Sequence, residues 1–157
     1  MKWPVLLLIL FVNRMACAQS TNADNIRLTI RQPLTFAYNE YEQMLSPKTI
    51  SNALELKLKV KDKPWKVSVT LQSGNSTDLY FLSNRLLLRP TYTSLPPVIG
   101  MSEVPLSPTP SLLFSMAGSS SRTEHHTVLY DLVMMPATQF PSSSNIGFTI
   151  LFTMAEP

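Results

Sequence analysis

The chain contains very little cysteine and glycine. Cys17 is the single cysteine among 157 residues, so a framework of internal disulfides is excluded. The four glycines, Gly74, Gly100, Gly118 and Gly147, lie far apart and cannot form a glycine-rich phosphate-binding loop. A domain built from this chain must therefore be stabilised by the burial of apolar side chains.

The chain also lacks a catalytic motif. No serine stands in a G-x-S-x-G sequence, and the acidic residues are scattered. Because adjacent strand residues point to opposite faces, we interpret His125 and His126 as solvated residues of a polar turn; zinc binding with Glu124 is the alternative. A triad using Asp78 or Asp131 has no specific support. We predict a protein without enzymatic activity, cofactor or metal.

Long apolar runs are absent except near the start. Residues 5–12 (VLLLILFV) follow Lys2, and residues 16–18 (ACA) match the small-residue cleavage site of a secretory signal peptide. The run is shorter than the roughly 20 residues needed to span a bilayer. We predict a signal peptide at residues 1–18, cleaved before Gln19, with no transmembrane segment afterwards. The protein would then reside in the periplasm, on the cell surface or outside the cell.

A lipidated Cys17 is the alternative interpretation of this leader. Ala16 fits the position before such a cysteine, but Arg14 and Met15 stand where Leu and a small residue are expected. We therefore favour cleavage without lipidation. The mature chain would then contain no thiol.

Positive charge is nearly balanced once the leader is removed. The 13 Lys and Arg of the whole chain face 10 Asp and Glu. Loss of Lys2 and Arg14 leaves 11 against 10, so the mature chain has a net charge near +1. The pI of about 9.1 belongs to the precursor and does not argue for nucleic acid binding.

The strongest pattern is a strict alternation of apolar and polar residues over positions 53–72. A period of two is typical of strands with one buried and one solvated face. Residues 62–64 (DKP) separate the two arms as a turn, so we predict a hairpin. Its apolar positions are Leu54, Leu56, Leu58, Val60, Trp65, Val67, Val69 and Leu71.

Similar patterns continue on both sides of this segment. We predict a flexible tail at 19–25 and strands at 26–30, 34–38, 79–82, 86–89, 112–116, 127–135 and 146–154. Pro33 argues for an edge position or a bulge, and Pro90 is expected to end the strand before it. A short helical turn is predicted within 39–47, and the proline-rich segment 96–110 is expected to pack as a loop along the domain. Residues 26–157 should thus form one antiparallel β-sandwich of about 7–9 strands.

Lysines form the most concentrated charge on the chain. Lys57, Lys59 and Lys61 alternate with buried positions, and Lys63 and Lys66 follow near the turn. One interpretation is an edge strand protected by lysine against edge-to-edge pairing. The functional interpretation is a stripe that binds anionic glycan or lipopolysaccharide.

Exposed aromatic residues near this stripe would favour sugar stacking. Trp65 lies on the apolar parity and is expected in the core. The candidate aromatics for such a surface are Tyr38, Tyr41, Tyr80, Tyr92 and, if it were exposed, Trp65. The predicted ligand surface accordingly consists of Lys57, Lys59, Lys61, Tyr80 and Tyr92.

Three segments carry a resemblance to a known class of protein. They are residues 53–71 (ALELKLKVKDKPWKVSVTL), 127–136 (TVLYDLVMMP) and 147–157 (GFTILFTMAEP). The chain resembles small secreted β-sandwich proteins of Gram-negative bacteria and is similar in layout to fimbrial or pilin-like subunits and adhesin domains. It differs from many fimbrial subunits in having no disulfide.

The resemblance implies an immunoglobulin-like sandwich that serves in surface structure or adhesion. Its partners would be further copies, other surface or pilus subunits, or glycans, but not nucleic acid. Assembly would occur by strand addition at an exposed edge, either at 26–38 or at the C-terminal strand. The alternative is a secreted module that binds carbohydrate or another ligand.

Overall fold

The computed structural model describes residues 11–12, 25–60, 64–95, 102–116, 123–137 and 145–156. The predicted leader and tail fall outside these ranges except for Phe11, Val12 and Asn25. The strands are β1 (Phe11–Val12), β2 (Asn25–Ile30), β3 (Lys48–Val60), β4 (Trp65–Gln72), β5 (Leu86–Thr93), β6 (Val104–Pro105), β7 (Ser111–Met116), β8 (Glu124–Met134) and β9 (Gly147–Ala155). A 3₁₀-helix spans Tyr41–Leu45, and helix α1 spans Ser76–Leu82.

The strands form two sheets that share one core. The four-stranded sheet has the order β1-β9-β4-β7, and the five-stranded sheet has the order β2-β3-β8-β5-β6. All pairings are antiparallel except that of β1 with β9. Buried side chains from both sheets belong to one apolar cluster. The prediction of an all-β, mostly antiparallel, two-sheet architecture is confirmed.

The two arms of segment 53–72 are both strands, but the predicted hairpin is wrong. β3 lies in the five-stranded sheet and β4 in the four-stranded sheet. The predicted turn at 62–64 lies outside the described residues except for Pro64. Alternation specifies which face of a strand is buried, and it is equally satisfied when two strands bury their apolar faces from opposite sides of one core. Trp65 is buried as predicted, with its ring edge-to-face on Phe114 at 5.7 Å between centroids.

Helix α1 replaces the strand predicted at residues 79–82. The Asn75 side chain accepts a hydrogen bond from the Thr77 backbone N–H at 2.9 Å, which caps the first turn. The side chains of Phe81 and Leu82 lie on the buried side of this helix. Four residues are too few to separate a period of two from a helical turn, so the alternation did not indicate the helix.

Strand β5 extends beyond its predicted end. It passes through Pro90 by means of a register shift against β8 between Pro90 and Tyr92, which is where a sheet tolerates proline. Leu86, Leu87 and Leu88 are all buried. The run is therefore covered on both faces, one of the two arrangements that the sequence allows.

The segment before β3 is only partly a strand. Leu34, Phe36 and Tyr38 are buried with the predicted alternation, but they lie outside β2, which ends at Ile30. The predicted helical turn is confirmed by the 3₁₀-helix. β2 occupies an edge of its sheet, as the nearby Pro33 suggests.

The proline-rich segment packs on the domain from residue 102 onward; residues 96–101 lie outside the described ranges. Leu106 is fully buried and its backbone N–H donates to the Leu86 carbonyl at 2.7 Å. The Leu71 N–H donates to the Ser107 carbonyl at 2.8 Å. These bonds attach the segment to strands of both sheets. Among the described residues, no helix is long and apolar enough to cross a membrane.

Candidate functional surfaces

Two lysines of the predicted stripe lie on the outer face of the five-stranded sheet. Lys57 stands between Arg27 of β2 and Thr127 of β8 in the strand register. Lys59 stands beside His125 of β8. Residues directly opposite each other on neighbouring strands share a face. The row that contains Arg27, Lys57 and Thr127 and the next row, with Lys59 and His125, therefore place these cationic and polar groups together.

One carboxylate lies among these cations. Glu55 Oε1 is 3.2 Å from Lys57 Nζ, and Glu55 Oε2 is 4.0 Å from Arg31 Nε. Arg27 and Lys59 lie on the same outer face as this ion-paired group, and so does the carboxylate of Asp131, two residues beyond Leu129 on β8. We call Arg27, Arg31, Lys57, Lys59 and His125 the cationic face. With Glu55 and Asp131 both counted against its four permanent cations, this face has an excess of two positive charges.

Tyr92 lies on the same outer face. It pairs with Leu129 of β8, which in turn pairs with Glu55 of β3, so the three residues form one row across the sheet. The Tyr92 side chain is 54% exposed. Three residues of the predicted ligand surface, Lys57, Lys59 and Tyr92, are therefore brought together by the fold.

The other predicted residues do not join them. Lys61 and Lys63 lie outside the described residues. Lys66 is exposed on β4 and faces outward from the opposite sheet, so it does not extend the row. Tyr80 is 82% exposed on α1. The chain continues from this helix to Leu86 at the start of β5, and Leu86 lies about 20 Å from Tyr92 along the strand, at about 3.3 Å per residue.

The interpretation of the lysines as protection of an edge strand is wrong. β3 lies between β2 and β8, so its backbone groups are paired on both sides. Lys57 and Lys59 project from the middle of a sheet rather than from its border. Their concentration there needs another explanation, either solubility or a ligand.

The two histidines lie on a strand rather than in a turn. Both belong to β8, where His125 is exposed and His126 is buried. They point to opposite faces, as strand geometry requires. His126 Nε2 lies 3.1 Å from Glu124 Oε2. Within the described part of the chain, no three metal-ligating side chains are grouped so as to hold an ion.

Asp131 has a structural contact rather than a catalytic one. Its Oδ1 accepts the backbone N–H of Asn52 at 2.7 Å. Asn52 has a positive φ of 48° and lies in a register shift where residues 51–53 of β3 face Asp131 of β8. Thr91 Oγ1 is 3.1 Å from Asn52 Oδ1. This bulge sets the register of the following residues of β3, including Lys57 and Lys59.

A second candidate surface is the outer edge of β9. One edge of β9 pairs with β4 along its length, from Gln72 opposite Thr149 to Lys66 opposite Ala155. On the other edge, β1 pairs only with Gly147 and Phe148. Across the described ranges no strand pairs with this edge beyond Phe148. Among the residues that the structure describes, the seven from Thr149 to Ala155 therefore have no ladder partner on this side of β9, which we call its free edge.

The side chains of β9 anchor it firmly to the core. Phe148, Ile150 and Phe152 are buried with the predicted alternation. Each contributes about 1.5–3 kcal/mol relative to exposure. The free edge is thus a rigid template of backbone donors and acceptors rather than a frayed end.

Sequence reasoning missed Arg27, Arg31 and His125 as members of the cationic face. The two arginines occupy the polar parity of β2, and this signal was present in the alternation. Their position beside Lys57 depends on the pairing of β2 with β3, which a strand pattern alone does not specify.

No family model and no curated protein matches this chain.

Proposed function

We propose that this chain is a non-enzymatic exported protein of the bacterial periplasm or cell surface, of immunoglobulin-like or pilin-like type. It serves as a structural or adhesion subunit that assembles by strand addition. The observation that supports assembly most directly is the free edge of β9. An extended segment added there would gain main-chain hydrogen bonds along seven residues.

The pairing of β1 with β9 indicates that this edge of β9 can pair with an extended segment. Phe11 and Val12 align in parallel with Gly147 and Phe148, so the edge accepts an extended segment. Both residues belong to the predicted leader. Cleavage before Gln19 would remove this partner of Gly147 and Phe148, so that a strand from another subunit could pair there.

A charged residue on the free edge provides the test. Lysine on an edge strand opposes pairing with another strand, so Leu151→Lys on β9 should weaken assembly of the exported protein. The matched control is Leu112→Lys on β7, which lies at the other edge of the same sheet and is 56% exposed. Size-exclusion chromatography and electron microscopy over a range of concentrations would give the readout.

The outcomes separate clearly. Oligomers or fibres that disappear with Leu151→Lys and persist with Leu112→Lys support assembly through β9. A strict monomer at every concentration removes self-assembly. N-terminal sequencing tests the cellular address, because exported protein should begin at Gln19 and cytosolic protein with an intact leader would contradict export.

A secreted ligand-binding module is the second candidate. It is favoured by the common position of Lys57, Lys59 and Tyr92 on one outer face. Trp65 is buried and takes no part in such a surface. Binding on a glycan array would support this function, and an array without signal would count against it.

A further inference from the structure

We infer that the cationic face binds an anionic polysaccharide, a polymer whose sugar rings carry carboxylate or sulfate groups. The inference rests on the ligand-binding function proposed above and names its ligand class. Four permanent cations share this face with two carboxylates; Glu55 is already engaged by Lys57 and Arg31, and Asp131 accepts the backbone N–H of Asn52. The face therefore attracts a ligand with several negative charges rather than one.

The spacing of the cations fits a polymer with repeating charges. Neighbouring strands are about 4.8 Å apart, and alternate residues on one strand are about 6.6 Å apart. Arg27 and Lys57 face each other on neighbouring strands, and Lys57 and Lys59 are alternate residues of β3. Such separations are shorter than the Debye length of about 8 Å at physiological salt. The cations thus act on a ligand together.

The face also offers a platform for a sugar ring. Tyr92 borders the cations and is more than half exposed, and its ring presents an apolar surface with a polar tip. Leu129 lies beside it, half buried. A pyranose ring stacked on Tyr92 would extend toward Lys57 across about two strand spacings, or about 10 Å.

The same features disfavour two other polyanions. An anionic membrane would call for a broad apolar surface to enter the bilayer. The large exposed apolar residues of strands β2, β3, β8 and β5 are Ile30 and Tyr92, which lie on β2 and β5, three strand spacings apart, and do not form one patch. Single-stranded nucleic acid is held by stacking of successive bases on several aromatics. One tyrosine beside a group of cations corresponds better to a sugar chain.

The footprint is small, so a single copy should bind weakly. From β2 to β5 the face spans three strand spacings, about 14 Å, and from Arg31, which lies opposite Ala53, to Lys59 it spans about 20 Å along the strands. An area of this size is far below that of a standard stable interface, about 800 Å² per partner. Assembly through β9 would repeat the face and increase avidity. Monomeric and assembled protein should therefore differ in apparent affinity.

Binding is tested with defined polysaccharides on the exported full-length protein. Heparin is the sulfated probe, polygalacturonate the carboxylated probe and dextran the neutral probe, each immobilised for biolayer interferometry at 50 and 500 mM NaCl. We expect binding to one or both polyanions at low salt, strong weakening at high salt, and no binding to dextran.

Matched variants locate the site. Lys57→Gln together with Lys59→Gln should weaken binding roughly 2- to 30-fold, since each exposed ion pair contributes about 1.4- to 5-fold. Lys66→Gln removes an exposed lysine from the opposite sheet and should leave binding unchanged. Tyr92→Ala should weaken binding, whereas Tyr80→Ala should not. Circular dichroism checks that each variant is folded.

Each remaining outcome overturns the inference in a distinct way. Lack of binding to both polyanions at 50 mM NaCl excludes an anionic polysaccharide, and equal weakening by Lys66→Gln excludes the cationic face as the site. Binding to dextran alone would leave a carbohydrate-binding module but with the wrong ligand class. Tighter binding to phosphatidylglycerol vesicles or to single-stranded DNA would replace the polysaccharide by that partner. Self-association, measured separately, reports on the proposed assembly.

Discussion

The bulge in β3 supports one prediction that can be worked out in energetic terms. Asn52 has φ 48°, a left-handed conformation that costs an ordinary L-residue about 1–2 kcal/mol and costs glycine little. Its side chain also contacts Thr91, with Asn52 Oδ1 3.1 Å from Thr91 Oγ1. Asn52→Ala and Asn52→Gly both remove this contact, but only alanine retains the conformational strain.

The expected difference follows from these two contributions. Asn52→Gly should change the free energy of unfolding by about 1 kcal/mol or less, because relief of strain offsets the lost contact and the larger entropy of the unfolded chain. Asn52→Ala should destabilise by about 1–2 kcal/mol more than Asn52→Gly. Asp131→Ala should cost about 0.5–1.5 kcal/mol, because the Asn52 N–H loses its acceptor, whereas Asp131→Asn retains an acceptor oxygen and should cost less.

Urea unfolding followed by circular dichroism measures these differences. With an m-value of about 1.5 kcal/mol/M, a difference of 1.5 kcal/mol shifts the midpoint by about 1 M. Asn84 has a φ of 62° and provides an internal comparison, since Asn84→Ala and Asn84→Gly should differ by a similar amount. The reasoning is refuted if Asn52→Ala is as stable as Asn52→Gly while the Asn84 pair differs as expected.

The bulge also connects stability with the cationic face. A slip of one residue in a strand turns every side chain to the other face. Lys57 and Lys59 follow the bulge, so their outward position depends on its geometry. A variant that shifted the register would lose both core packing and polyanion binding.

Three further predictions concern stability. Phe152→Ala should destabilise the domain by about 3–5 kcal/mol, because Phe152 is 1% exposed on β9; thermal or urea unfolding would show it, and a loss below 1 kcal/mol would contradict its place in the core. Burial raises the pKa of Tyr38 to about 12 and raises that of Tyr130 further. The folded state therefore favours both neutral phenols, and the free energy of unfolding should fall by about 1.4 kcal/mol per tyrosine between pH values below 10 and pH 11. Tyr38→Phe should lose less stability over this alkaline range. A pH profile of stability identical to that of the unmodified protein would disprove the assignment to Tyr38. Asn75→Ala should cost about 1 kcal/mol by removing the 2.9 Å cap on the Thr77 N–H, and Asn75→Asp, which retains an acceptor, should cost less in the same unfolding assay.

Sequence patterns predicted burial more reliably than they predicted pairing. Leu54, Leu56 and Leu58 are fully buried as alternation requires, and so are Ile150 and Phe152 in the last strand. The same alternation suggested a hairpin between β3 and β4, which lie in different sheets. Parity is a local property of each strand, whereas the choice of partner depends on chain segments far apart in sequence.

The candidate surfaces show the same division. The polar parity of Lys57 and Lys59 was visible in the sequence, and the exposure of Tyr92 was a reasonable expectation. Their proximity arises because β8 lies between β3 and β5. The addition of Arg27 and His125 depends on two further pairings that no local pattern specifies.

By itself, the sequence determined that this chain forms strands with one apolar face, because side chains alternate along an extended backbone and apolar faces must leave water. It also determined that such a domain depends on burial rather than disulfides, because Cys17 has no second cysteine to join. Only the tertiary structure decided that segment 76–82 is a helix, that β3 lies inside its sheet and that no strand of the described ranges pairs with β9 beyond Phe148 on one side. These outcomes depend on which distant segments meet and in what register, and the free energy of those contacts appears only when the whole core is assembled.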